Sequence, residues 1–126
     1  MLLFAAGHTF GFRQIDPAWG VDPLIQSMKS IHFNANGSDR TYWDFFVGFG
    51  LVVTALMVFS AIVAWQFSNL RAETLAEMRI GAWGFVFCFG AVACVSWLYV
   101  FLVPAIFAVS ILLCLTAAAW ISGKRQ

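Results

Sequence analysis

The stretch Ser38-Asp-Arg-Thr-Tyr-Trp-Asp44 is polar and aromatic, and it leads directly into residues 45–67, which carry no charge. Counted from Asp44, this apolar segment has 24 residues, whereas about 20 are enough for a helix to cross the hydrocarbon core of a bilayer. We therefore predict a transmembrane helix over residues 44–67. It begins at the point where the chain passes from water into the membrane.

The composition of the whole chain indicates the same environment. Of its 126 residues, 62% are hydrophobic and 10% are charged, and the mean hydropathy is +0.86; in soluble proteins about a quarter of the residues are charged. A soluble domain of this size could not bury so much apolar surface, so the lipid bilayer is the expected partner. The net charge is +1 and no basic cluster exceeds two residues, so nucleic acid is not an expected partner.

The predicted fold is an all-α integral membrane protein, a four-span antiparallel helical bundle in a single transmembrane domain. Residues 80–122 carry no charge, and as one helix they would be about 64 Å long, roughly twice the hydrocarbon thickness. Pro104 is the expected corner, which gives spans at residues 80–101 and 105–121. Residues 1–12 would form a helix of only about 18 Å, so this first span is expected to be clipped at its start or half embedded.

Residues 13–43 form one long polar connection, the outer loop, between the first two spans. Loops of this length usually carry function or structure of their own. Asp22 as a cap and Pro23 at the first helical position favour a short helix within it. The sequence Asn34-Ala-Asn36-Gly37 favours a turn.

Two sequence patterns predict where later helices begin. Ser38 or Asp39 can cap the helix that contains Asp44, because short polar side chains accept hydrogen bonds from the first N–H groups of a helix. Thr74-x-x-Glu77 has the spacing of a capping box, and we expect it to start the next helix.

The distribution of positive charge predicts the orientation. In a four-span protein the connection at residues 71–79 lies on the same side as Lys124 and Arg125, and these two regions together hold four Lys or Arg. The outer loop holds three, spread over a longer stretch. Because short cytoplasmic connections are enriched in Lys and Arg, we expect both termini in the cytoplasm and the outer loop outside.

Two ionisable residues near the outer membrane face are the candidate catalytic residues. Asp44 heads a membrane helix, where a carboxylate is costly unless it is solvated or paired; His8 lies in the first span, at roughly the expected depth of Asp44. A carboxylate that orients a histidine makes it an acid–base group. The alternatives are that Asp44 is a helix cap, favoured by about 0.3–1 kcal/mol, or the i,i+4 partner of Arg40, and that His8 forms a packing hydrogen bond.

The candidate ligand-binding residues are polar or aromatic side chains expected near the membrane surface: His32, Asp39, Arg40, Tyr42, Trp43 and Trp97. Aromatic residues make up 17% of the chain, which suits a pocket for an apolar ligand, although lipid-facing Phe and interfacial Trp account for most of them. The histidines and carboxylates match no metal-ligand spacing. No metal ligand is therefore assigned, and the sequence does not identify a cofactor.

Two functions follow from this sequence. The first is binding of an apolar or amphipathic small molecule in a pocket at the outer membrane face, with isomerase or redox-type acid–base chemistry if the protein is an enzyme. The alternative is a non-catalytic accessory subunit, a homo-oligomer or a component of a channel or transporter. In that case Gly7, Gly11 and Gly48 provide close contacts between helices.

Overall fold

The computed structural model describes residues 1–123, and helices account for most of them. In chain order the elements are α1 (Leu2–Gly11), a 3-10 turn (Pro17–Trp19), α2 (Asp22–Ser30), β1 (His32–Ala35), β2 (Ser38–Thr41), α3 (Tyr42–Ser68), α4 (Ala72–Glu77), α5 (Arg79–Tyr99) and α6 (Leu102–Gly123). Within the described part of the chain, α3, α5 and α6 are long and apolar enough to cross a membrane, and α1 is apolar but shorter. The chain is therefore a predominantly helical protein with the helices of a membrane protein.

The longest helix, α3, exposes apolar side chains over most of its surface. Phe49, Phe59 and Trp65 are 68%, 62% and 72% exposed, and no residue of its most apolar 18-residue window is buried. A helix that is apolar all round belongs in lipid or among other apolar helices. This surface supports the prediction of a membrane protein.

The chain divides into two compact units, residues 2–58 and the part that follows from Phe59. In the second unit, α5 and α6 pack against each other. They run antiparallel, because Gly90 faces the side chain of Leu112 and the two positions are almost equally far from the connection. The buried residues at this contact are mostly small: Phe89, Ala93, Ser96, Ala105, Ala108 and Ala119. Small side chains let the two helices approach closely.

The turn between α5 and α6 lies at Val100 and Phe101, so the predicted corner at Pro104 is wrong by three residues. Pro104 lies in the first turn of α6 instead. Proline is tolerated there because the first N–H groups of a helix have no acceptor within the helix. The basic residues Lys124 and Arg125, on which part of the orientation depends, lie outside the described residues.

In the first unit, α1 runs antiparallel to the first half of α3. The Phe12 ring, just after α1, contacts the Phe46 ring at 5.8 Å between centroids and lies over Gly50. His8, one turn earlier, reaches Thr54, one turn later. A Cβ atom at Gly50 would overlap the Phe12 ring, so the glycine is what permits this close contact.

The outer loop contains the predicted helix, α2, and a β hairpin that was not expected. Pro23 lies in the first turn of α2 as predicted, but Asp22 is its first helical residue and Val21 occupies the cap position without a side-chain hydrogen bond. The hairpin turns at Asn36 and Gly37, where a turn was predicted. Their φ angles are 52° and 89°, and positive φ at both central residues is typical of the tight turns that join antiparallel strands.

Both predicted helix starts after the loop are wrong. Ser38 and Asp39 lie in β2, where their backbones pair with β1, so neither caps α3. Thr74 lies inside α4, and α5 starts after Met78 without a side-chain cap. Each pattern predicts the start of the next helix, whereas its residues belong to a short element, β2 or α4.

Candidate functional site

Alternation along the β hairpin divides its side chains between two faces. Side chains of directly paired residues lie on the same face of a sheet, and successive residues alternate. The pairing places His32, Asn34, Asp39 and Thr41 on one face. It places Phe33, Ala35, Ser38 and Arg40 on the other. The predicted ligand-binding residues of the hairpin are therefore split between the two faces.

A groove of about 420 Å³, here called the hairpin groove, lies between the second of these faces and the start of α3. Its lining residues are Ala35, Asn36, Ser38, Arg40, Asp44, Phe45, Gly48 and Phe49. On α3, Gly48 and Phe49 each follow a lining residue by one helical turn, so one side of the helix forms the wall. The charged groups lie at the hairpin and the first turn, and the next turn contributes apolar groups.

Asp44 forms a capping box with Thr41. Its backbone N–H donates to the Thr41 hydroxyl oxygen at 3.1 Å, and its Oδ2 accepts from the Thr41 N–H at 2.8 Å and from the Thr41 hydroxyl at 3.0 Å. Thr41 is 5% exposed. Such a reciprocal pair satisfies backbone groups that the first helical turn leaves without partners. The capping role considered for Asp44 is thus present, and Oδ1 is the carboxylate oxygen that the cap does not use.

Arg40 lies on β2 and not on α3, so its expected i,i+4 pairing with Asp44 along a helix is wrong. The reason is that the strand continues to Thr41 and the helix starts only at Tyr42. One guanidinium nitrogen, Nη1, donates to the backbone oxygen of Asp39 at 2.7 Å. Arg40 and Asp44 nevertheless both line the hairpin groove.

His32 and Asp39 hydrogen-bond to each other on the opposite face of the hairpin. Nδ1 of His32 lies 3.0 Å from Oδ2 of Asp39, and the two side chains are 58% and 73% exposed. An exposed pair of this kind contributes at most about 1 kcal/mol to stability. These two predicted ligand-binding residues therefore lie on the hairpin face that does not line the groove.

The predicted aromatic residues Tyr42 and Trp43, in the first turn of α3, contact β1 and α2. The Phe33 ring lies 5.0 Å from that of Tyr42, which fastens the hairpin to the start of α3. The Lys29 ammonium lies 4.6 Å from the centroid of the Trp43 ring, a cation–π contact of about 0.5–1 kcal/mol at an exposed site. Trp97, the remaining predicted residue, lies in α5 of the second unit and is 71% exposed.

His8 contacts Thr54 and not Asp44. Its Nδ1 lies 3.2 Å from Thr54 Oγ1, and its ring stacks on Phe12 at 5.2 Å between centroids. Thr54 follows Asp44 by ten residues, about 15 Å along a helix. The expected equal depth of His8 and Asp44 is therefore wrong, because the antiparallel packing of α1 places Phe12 nearer the start of α3. A catalytic role for either residue stays a prediction.

A second threonine completes a small polar network around His8. Thr9 Oγ1 lies 3.1 Å from Thr54 Oγ1, and the two hydroxyls donate to the backbone oxygens of Ala5 and Gly50 at 2.7 Å and 3.1 Å. Thr54 Oγ1 therefore lies within hydrogen-bond distance of His8, of Thr9 and of the Gly50 backbone oxygen. The network explains His8 as a residue of the α1–α3 contact, which was the alternative to catalysis.

Sequence reasoning missed Thr41, although a signal for it was present. Thr41-x-x-Asp44 directly before an apolar run is itself a capping-box pattern, and it is the one that the structure uses. Among residues 1–123, no group of three or more His, Cys, Asp or Glu could hold a metal ion. Comparisons with protein-family models, with curated proteins and with solved structures found no match for this chain.

Proposed function

We propose that this chain is an integral membrane protein that binds an amphipathic small molecule in the hairpin groove, at the outer membrane face. One observation carries the proposal: the groove combines the charged groups of Arg40 and Asp44 with apolar side chains one turn further along α3. A molecule with a polar head and an apolar body matches this lining. The volume of about 420 Å³ also lies within the usual range of small-molecule sites, about 300–1,000 Å³.

The apolar body of the ligand extends along α3 toward the middle of the membrane. Phe45 and Phe49 are 39% and 68% exposed, and no atom lies within 4 Å of the position that a Cβ at Gly48 would occupy. An apolar chain that covers these residues removes their surface from lipid or water, while the head stays at the hairpin. The glycine leaves room for the ligand against the helix backbone.

The proposed membrane arrangement is a single transmembrane domain with four helices embedded in a bundle. α3, α5 and α6 cross the bilayer, and α1, whose ten residues measure about 15 Å, enters it as a shorter fourth helix. Both termini are cytoplasmic because the positive charge of the short connections lies on that side. The hairpin groove then faces outward, where a ligand enters from the outer leaflet.

The test is to fill the groove. Gly48→Leu places a side chain in the open space of the groove, and Gly7→Leu is the matched control, because no atom lies within 4 Å of a Cβ at Gly7 either and Gly7 does not line the groove. Native mass spectrometry in mild detergent, with extraction of the bound molecules, measures ligand retention. We expect the wild type and Gly7→Leu to retain an amphipathic molecule and Gly48→Leu to lose it.

The second candidate function is that of an accessory subunit or a component of an oligomeric channel or transporter. The observation that favours it is the largely exposed apolar surface of α3, which partner helices can cover as well as lipid can. The same two variants separate the proposals. If the glycines are assembly contacts, Gly7→Leu and Gly48→Leu both lower the mass of the assembly, and a ligand-free wild type of defined higher mass contradicts the groove proposal.

A further inference from the structure

We infer that the hairpin groove selects a head that carries a phosphate and a primary ammonium group, as in a phosphatidylethanolamine-type phospholipid. This inference rests on the proposed function and names its ligand class. Two opposite charges line the same groove, the guanidinium of Arg40 and the carboxylate of Asp44. The charge of Arg40 acts on Asp44 from a distance, but among the described residues no salt bridge joins the two side chains directly.

Opposite charges that line one groove without a direct salt bridge between them favour a ligand that bears both signs. A purely anionic head placed at Arg40 also meets the negative charge of Asp44. A purely cationic head at Asp44 meets the guanidinium. A zwitterionic head satisfies both groups at once, and complementary charge at both ends fixes its orientation in the groove.

Thr41 orients the Asp44 carboxylate without neutralising its charge. The groups that hydrogen-bond to Oδ2 are the N–H and the hydroxyl of Thr41, and neither carries a net charge. Oδ1 is therefore the acceptor for the ligand. A primary ammonium has N–H donors for it, whereas the quaternary ammonium of a choline head has none, and this difference favours ethanolamine over choline.

Arg40 supplies the phosphate side of the site. A guanidinium has five N–H donors in a planar fork, and the bond to the backbone oxygen of Asp39 uses one at Nη1. The fork matches the geometry of phosphate oxygens, with which arginine forms paired hydrogen bonds. The acyl chains then follow the apolar wall formed by Phe45 and Phe49, in the direction of the membrane core.

The test uses the full chain in lipid nanodiscs with a phosphatidylcholine background, to which either phosphatidylethanolamine or anionic phosphatidylglycerol is added. Native mass spectrometry after release counts the lipids that stay bound. We expect the wild type to retain phosphatidylethanolamine about tenfold better than either other lipid, the ratio that corresponds to about 1.4 kcal/mol. Equal or better retention of phosphatidylglycerol or phosphatidylcholine overturns the inference.

Two charge-neutralising variants sharpen the test. Asp44→Asn keeps a side-chain oxygen for the cap but removes the negative charge, so we expect the preference to move from phosphatidylethanolamine to phosphatidylglycerol. Asp39→Asn is the matched control, since it removes the same charge from the hairpin face opposite the groove. A preference that Asp44→Asn leaves unchanged, or that Asp39→Asn moves equally, contradicts the assignment.

A third variant serves if Asp44→Asn does not fold. Arg40 is exposed and takes no part in the cap, and Arg40→Gln is expected to lower phosphatidylethanolamine retention severalfold, because the lipid phosphate loses its guanidinium partner. Retention that Arg40→Gln leaves intact overturns the inference. The two proposals fail separately: if Gly48→Leu abolishes lipid retention but the wild type shows no head-group preference, the groove binds amphipathic molecules and only the zwitterion inference is wrong.

Discussion

Gly48 and Gly50 lie two residues apart on α3, yet their surroundings are opposite. Around Gly48 no atom lies within 4 Å of a Cβ position, and the space belongs to the hairpin groove. Gly50 is covered by the ring of Phe12, with which a Cβ would overlap. The first glycine leaves room for something outside the helix, and the second lets α1 approach. The comparison shows that a glycine in a membrane helix takes its role from the face of the helix on which it lies.

The largest effect is expected from adding a methyl group at Gly50, the glycine that the Phe12 ring covers. Gly50→Ala places a Cβ that overlaps the Phe12 ring. Overpacking of this kind typically lowers the free energy of unfolding by about 1–3 kcal/mol. Gly48→Ala meets no atom and replaces glycine in a helix, which favours folding by about 0.5–1 kcal/mol. Thermal unfolding in detergent should therefore move in opposite directions for the two variants.

A double variant isolates the cause of the Gly50 effect. Phe12→Ala removes the ring that the added methyl group meets, so Gly50→Ala should cost much less in that background than in the wild type. Such non-additivity is expected for residues in direct contact. If the two substitutions add, or if Gly48→Ala destabilises the protein as much as Gly50→Ala, the assigned difference between the two glycines is wrong.

A smaller effect is expected at the capping box of Thr41 and Asp44, one turn before Gly48. Thr41→Ala removes the hydroxyl that accepts from the Asp44 N–H, and loss of an N-cap side chain typically costs about 1 kcal/mol. Thr41→Ser keeps the hydroxyl and is the control. Denaturant unfolding gives the free energy of unfolding of both variants. An alanine variant as stable as the serine variant contradicts the capping box.

The long helices follow from the sequence because length and hydropathy are local properties. The segment predicted at residues 44–67 corresponds to α3, Tyr42–Ser68, and a 20-residue apolar run needs no knowledge of its neighbours to indicate a helix in lipid. The start of α3 was less predictable. Several polar residues before it are able to cap a helix, and the choice of Thr41 depends on where the hairpin ends.

The arrangement around the candidate site depends on contacts between distant parts of the chain. The four residues of β2 are all polar, so this strand lacks the alternation of apolar residues that predicts a strand. β1 alternates, but over only four residues, the shortest run that indicates a strand. The depth of His8 depends on how Phe12 fits over Gly50. Hydropathy contains no information about that fit, and this is why His8 was expected beside Asp44 and lies beside Thr54.

The smallest effect is expected at the hydrogen bonds of Thr54, one turn after Gly50. Thr54→Val removes the hydroxyl that lies 3.2 Å from His8 Nδ1 and 3.1 Å from Thr9 Oγ1, while it keeps the shape of the side chain. Hydrogen bonds between membrane helices contribute about 0.6 kcal/mol on average, so we expect a loss of that size in the free energy of unfolding. Lipid retention in the groove should not change, because Thr54 does not line it. If the variant unfolds as the wild type does but loses its lipid, the α1–α3 contact is linked to the groove. That result would contradict the assignment of Gly48 to the groove and Gly50 to the α1–α3 contact.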